Sequence, residues 1–271
     1  MKKALTLLAV LVIAAAGGLY AQATAAAPQA ETPKTAADLI KAGDDLYVKF
    51  DDAGALVQYE QAAKLEPTNY EALWKTSRAY LDAGDRMNPK NKDEEAKQIK
   101  LYLTAEDYAK KAIKVNPNDT WAHFCNSAAM GMHALQLGKK QQIAMSKEIK
   151  TEIDKAIELD PKNDLALHAM GRWQRRMAEI GGVTRFFGGI IYGKIPKGSF
   201  EEAVKDFQKA IEIKPNYSNH HLELGRTYLL MKKKDLAAKE FQIAIDAPIL
   251  TSKCADYIEE AKAELAKLKK K

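Results

Sequence analysis

The chain has 271 residues, enough for one large domain or a short repeat array, and 46% of them are hydrophobic, enough for a substantial core. Leu, Ala and Ile dominate the hydrophobic residues and β-branched runs are scarce, so the composition favours helices. The formal charge of +6 is mild and its signs alternate along the chain, which marks solvated helix faces and disfavours nucleic acid as a partner.

Lys2 and Lys3 precede the apolar run ALTLLAVLVIAAAGGLY, Ala4–Tyr20, and Ala21-Gln22-Ala23 follows as a small-residue cleavage site. A short basic head, an apolar middle and small residues read as a bacterial secretory signal. We expect residues 1–23 to be removed and the protein to be periplasmic or secreted. An uncleaved anchor is the rival, weakened by Gly17-Gly18 and by a run short of the ~20 residues a spanning helix needs. Removing 1–23 takes away two lysines and leaves 40 basic against 36 acidic residues. Residues 24–35, rich in Ala, Pro and Thr, read as a flexible linker, and 36–271 as the folded domain.

Within that domain four segments end alike: YEQAAKLEPTN, YAKKAIKVNPND, IDKAIELDPKND and FQKAIEIKPNY. Each is an amphipathic helix that stops at Pro67, Pro117, Pro161 or Pro215, with a small residue five places earlier: Ala62, Ala112, Ala156 and Ala210. The small residue lets two helices approach, and the proline ends one helix and sets the start of the next. The prolines lie 50, 44 and 54 residues apart. Five units follow, about 36–69, 70–119, 120–163, 164–217 and 218–250, with a closing helix at 251–269. Cys125 sits in a helical apolar pattern and reads as a buried free thiol. Its pairing with Cys254 is left open.

The stretch Phe186–Gly198, FFGGIIYGKIPKG, interrupts the fourth unit. Gly188-x-x-x-x-Gly193-Lys194 imitates a phosphate-binding loop. Yet Ile195 replaces the Ser or Thr that would hold magnesium, and Pro196 breaks the helix that should follow. We therefore expect Phe186, Phe187, Ile190, Ile191 and Tyr192 to fold onto the array as a floor or lid, after which Ser199 and Glu202 form a capping box. The rival reading dips the insert into a membrane, its aromatics flanked by Arg185, Lys194 and Lys197.

These features resemble the tetratricopeptide repeat, two antiparallel helices in 34 residues. The last unit fits best, with Leu224, Gly225, Tyr228, Ala237, Phe241 and Ala244 at family positions. The first has Gly43, Ala55, Tyr59 and Ala62, and the fourth Gly171, Ala203, Phe207 and Ala210. Ser77 and Ser127 replace the first-helix glycine in the middle units. The resemblance implies an all-α, right-handed superhelix of five helix pairs, with about 16, 10 and 20 residues inserted beyond the 34-residue period. From about Ala36 to Lys267 the chain is also similar to the regulator-of-microtubule-dynamics family. IKTEIDKAIELDPKNDLALHAMGRWQRRMAEI, Ile149–Ile180, carries most of that likeness, with Gly171-Arg172-Trp173 its most distinctive triplet. Eukaryotic members are linked to microtubules or organelle contact sites, and one mitochondrial member's repeat domain to lipid binding. A microtubule role cannot transfer to an exported bacterial protein. The likeness implies the fold, the insertions and an amphiphile-binding groove.

First helices line the concave side of such an array. The repeat register then places Trp74, Phe124, His168 and Leu222 at one inner position, Arg78, Arg172 and Arg226 at another, and Trp121 and Arg175 beside them. Guanidinium forks bind carboxylate or phosphate, and aromatic rings cover apolar surface. The bland alternative pairs those arginines with neighbouring carboxylates. No nucleophile motif, metal-ligand spacing or cofactor signature appears; His220 and His221 point about 100° apart on a helix. We expect a non-catalytic scaffold that engages a protein or peptide in the groove. The alternative is a carrier or sensor of an anionic lipid or fatty acid.

Overall fold

The prolines that punctuate the sequence stand just beyond helix ends. A computed structural model describes residues 35–181, 185, 189 and 195–269. Among them are eleven α-helices and no strand: α1 (Ala36–Val48), α2 (Asp52–Leu65), α3 (Tyr70–Asp85), α4 (Lys92–Val115), α5 (Thr120–Leu135), α6 (Lys139–Leu159), α7 (Asp164–Ala178), α8 (Phe200–Ile213), α9 (Ser218–Leu230), α10 (Lys234–Asp246) and α11 (Cys254–Lys269). The helices α2, α4, α6 and α8 each end two residues before their proline. Two residues past the first three prolines, Asn69, Asp119 and Asn163 cap α3, α5 and α7 by accepting from the amides of Ala72, Trp121 and Ala166. The chain is a tetratricopeptide superhelix: α1–α10 pack as five successive pairs, and α11 packs on α10 and α9.

Ala62, Ala112, Ala156 and Ala210 are fully buried where the pairs meet. Three first-helix glycines face an aromatic ring of their partner helix: Gly43 faces Tyr59, Gly171 faces Phe207 and Gly225 faces Phe241, each too close for a Cβ. The second pair has the same contact two turns further along, between Gly84 and Tyr102. There Ser77, at the family's glycine position, donates to the Ala105 carbonyl at 2.7 Å. In the third pair nothing stands within contact of Gly131, and Ser127 bonds the Phe124 carbonyl. Histidines brace two further joints. His123 touches Glu152 (2.6 Å) and the Pro117 carbonyl, and His221 touches Glu240 (2.7 Å) and the Pro215 carbonyl.

The first two insertions lengthen second helices: α4 and α6 have 24 and 21 residues, against 14 in α2. The third lies between α7 and α8. Its Phe186, Phe187, Ile190, Ile191 and Tyr192 lie outside the described residues, as do residues 1–34. Its stem is tied by Arg185, which donates to the carbonyls of Met177 (2.6 Å) and Ile180 before the insert and of Ile195 and Pro196 (2.5 Å) after it. The expected capping box is only half present. Ser199 Oγ accepts from the amides of Glu201 and Glu202, but the Ser199 amide donates to Gln174 Oε1, because Gly198 presses the chain onto α7. Glu202 pairs with Lys205 instead.

The array also returns on itself. The loop between α10 and α11 crosses to the first two pairs: Ser252 Oγ donates to Asp52 Oδ2 at 2.6 Å, and Lys253 Nζ donates to the Asp85 carbonyl at 2.8 Å.

Candidate functional site

Successive first helices pack side by side, α1 on α3, α3 on α5, α5 on α7 and α7 on α9. Their inner faces, α6 and the α10–α11 loop bound a cavity of about 450 Å³, within the range of small-ligand sites. One side is apolar. Leu135, Ile143, Ile149, Ile153, Trp173, Met177 and Ile180 line it, most of them members of one buried cluster. The other side is polar, with Arg78, Asp82 and Asp85 from α3, Arg172 from α7, and Tyr47, Tyr217, Lys253 and Tyr257.

The charges differ in how they are held. Arg78 donates to the Tyr47 hydroxyl at 2.8 Å, and its guanidinium lies over the Tyr47 and Trp121 rings. Burial lifts Asp82 to about 6 against the pull of Arg78, and its Oδ2 has no partner among the described residues. Burial also raises Asp85, opposed by the Tyr102 hydroxyl (3.0 Å) and by Arg172. Arg172 lines the cavity and makes no hydrogen bond or ion pair among the described residues. One turn before it, His168 is 6% exposed. Burial, then the neighbouring His220 and Arg172, hold it neutral. Asp164 accepts from His220 Nε2 (3.0 Å), so His220 Nδ1 is the acceptor for the His168 Nδ1 proton at 2.9 Å. That leaves the His168 Nε2 lone pair unpartnered.

The sequence-predicted residues divide accordingly. Arg78, Phe124, His168 and Arg172 line the cavity. Trp74 and Trp121 stack on each other (5.1 Å, 15°) within the α3–α5 wall, with Phe124 edge-on to Trp121 at 6.2 Å. Leu222 is 1% exposed and belongs to the core of the last units. Arg175, 7% exposed, grips the Glu223 carboxylate and donates to the Glu223 carbonyl at 3.0 Å. Arg226 binds Glu223 (2.7 Å) and Glu260 (2.6 Å). The bland alternative thus describes Arg175 and Arg226, because Glu223 brings a buried carboxylate to their side of the interior. Burial opposes that charge, but Arg175, Arg172 and Arg226 hold the Glu223 carboxyl well below its ordinary value.

Sequence reasoning missed Asp82 and Asp85, although they follow Arg78 at i+4 and i+7 and so share its helix face. It also missed Tyr47 and the loop at Thr251–Lys253. Among the described residues no group of three or more His, Cys, Asp or Glu could hold a metal, and no helix is long and apolar enough to cross a membrane. Cys125 and Cys254 are free and buried, and burial pushes the Cys125 thiol up to about 12.

The sequence model described as "Regulator of microtubule dynamics protein 1-3" matches residues 39–269. This chain belongs to that family. It is 35% identical over 184 residues to regulator of microtubule dynamics protein 1 of Mus musculus, covering 68% of this chain and 57% of that one. Against the Bos taurus protein it is 34% identical over 197 residues, covering 72% and 59%. The chain therefore spans less than two thirds of the length of these regulator-of-microtubule-dynamics relatives. Among solved structures, a thermophilic tetratricopeptide protein of Thermus thermophilus matches with a TM-score of 0.60 at 16% identity, covering 86% of this chain and 98% of that one. At that identity the likeness establishes the fold alone.

Proposed function

We propose that this family member is a non-catalytic tetratricopeptide scaffold, exported to the periplasm or beyond. Its inner cavity takes a protein or peptide segment in which an acidic group stands beside apolar side chains. The observation that carries this reading is Arg172. Arg175 and Arg226 are paired with carboxylates at contact distance, whereas Arg172, which acts on Asp85 and Glu223 only through space, faces the cavity with no ion pair of its own, next to the apolar side. A guanidinium so placed favours an anionic group from a partner. The relatives' names tie those proteins to microtubules; an exported chain would not meet them, so the proposal keeps the scaffold and drops that target.

A second reading, an anionic lipid or fatty acid as ligand, is supported by the separation of polar and apolar sides in a cavity that the α10–α11 loop covers. Native mass spectrometry of the purified protein distinguishes the two: a co-purified amphiphile favours the second, bare protein the first. For the scaffold, crosslinking mass spectrometry of Arg172→Glu against the unaltered protein in cell extract is the test. We expect partner crosslinks at α3 and α7 to fall at least thirtyfold, matching the ~2 kcal/mol or more that a desolvated charge pair is worth. Arg172 also steadies the buried Asp85 and Glu223 carboxylates, so Arg172→Glu should lose stability, and Arg172→Gln, which adds no repulsion, is crosslinked beside it to separate lost binding from lost fold. Wild-type crosslinking by Arg172→Glu would overturn the reading.

A further inference from the structure

We propose that the α10–α11 loop, residues 247–253, is a polar latch that opens and closes the cavity; the proposal rests on the reading of that cavity as the binding site. The loop meets the far end of the array at two points, both polar. Ser252 Oγ donates to Asp52 Oδ2 at 2.6 Å, and Arg86 pairs with the same carboxylate. Asp52 is the first residue of α2, where the exposed amides of a helix start favour a negative charge. Lys253 Nζ donates at 2.8 Å to the carbonyl of Asp85, the last residue of α3, where a cation is favoured.

The loop's large apolar side chains are not buried at this crossing: Ile249 and Leu250 are 46% and 40% exposed. Among the described helices the one that follows packs on α9 and α10, burying Ala261 and Leu265 in their cluster. The loop can therefore leave α2 and α3 without uncovering a core. Each of the two charge-assisted bonds favours the closed loop by roughly ten- to a hundredfold, about 1.5–3 kcal/mol net, enough to hold the loop without locking it, and Lys253 keeps Asp256 as a partner (3.1 Å) after release. Thr251, Ser252, Lys253 and Tyr257 line the cavity, while Asp52 and Arg86 do not. Substituting Asp52 thus loosens the latch and leaves the cavity lining intact.

The test uses the full chain and 8-anilinonaphthalene-1-sulfonate, an anion with an apolar body, followed by stopped-flow fluorescence. Asp52→Asn should raise association and dissociation rates together by about tenfold and change Kd by less than about threefold. Unchanged rates in a folded variant would overturn the latch. A ligand-free measurement separates the two ideas. Spin labels replace Val57 on α2 and Ile249 in the loop, both exposed, and their distance is measured by pulsed electron spin resonance. A latch predicts a second, longer distance in Asp52→Asn; one unaltered distribution sinks it. If Asp52→Asn fails to fold, the label distances are read in Ser252→Ala, which removes the loop's half of the bond and leaves the Asp52–Arg86 pair intact. Should Arg172→Glu leave dye binding intact, the cavity reading fails while the label distances still decide the latch.

Discussion

Two glycines show how much depends on a single hydrogen. A Cβ on Gly225 would stand 2.5 Å from Phe241 Cε1, and Phe241 is fully buried at the joint between α9 and α10. The ring cannot retreat without dislodging Ala237 and Leu224 from the same cluster. Gly225→Ala should cost about 1–3 kcal/mol through overpacking. Gly131, inside α5, has no atom within 4 Å of such a Cβ. There the methyl group meets open space and only the unfolded chain loses freedom, so Gly131→Ala should gain up to about 1 kcal/mol. Urea denaturation of both variants checks the pair, and equal effects would contradict the interlock. The sequence marked Gly225 by its family position. It could not mark Gly84, because the lengthened α4 moves the glycine–ring contact two turns along and leaves Ser77 to bond the α4 backbone.

Between elements, Glu223 ties three helices together. It stands on α9, receives Arg175 from α7, and shares Arg226 with Glu260 on α11. Glu223→Gln would leave the buried Arg175 guanidinium with only the longer, part-exposed pair to Glu179 at 4.0 Å, a loss of about 3 kcal/mol. The pH dependence follows from the direction of the shift. The three arginines, working against burial, depress the folded-state pKa below the ordinary 4.5. The carboxylate's contribution is therefore complete above that ordinary value and disappears as pH falls from it toward the depressed value. The stability gap between the unaltered protein and Glu223→Gln should be full at pH 7 and should shrink below about pH 4.5. Chemical denaturation at pH 7 and pH 3.5 measures it; a gap independent of pH would mean that packing, not charge, explains the loss. Here the sequence was half legible. The repeat register brought Arg78, Arg172 and Arg226 to the interior, but it is silent on which of them meets a carboxylate from another unit.

At the scale of the molecule, the repeats explain neighbour-to-neighbour packing and nothing longer. Periodicity therefore revealed the pairs from Pro67, Pro117, Pro161 and Pro215, and could not reveal that Ser252 meets Asp52 two hundred residues away. A contact made once, by a loop, leaves no repeating trace in composition or spacing. The return makes the end of the chain both a cap and a wall. Ala261 and Leu265 cover the last pair, and Thr251, Ser252, Lys253 and Tyr257 face the cavity. Ending the chain after Leu250 should remove both roles together. Losing Leu265, Ala261 and the partly buried Tyr257 and Leu268 from the α9–α10 cluster should cost about 3–5 kcal/mol, on the usual ~1.5–3 kcal/mol for a large apolar side chain. Affinity for 8-anilinonaphthalene-1-sulfonate should fall at least tenfold, because one wall is gone while Arg172 remains. Urea denaturation and dye titration of the shortened chain measure the two effects side by side. A loss of stability with full dye affinity would confine α11 to capping and place the dye elsewhere. Full-length stability would instead show that the α9–α10 surface needs no cover, and the last pair would then have to be closed by its own exposed residues.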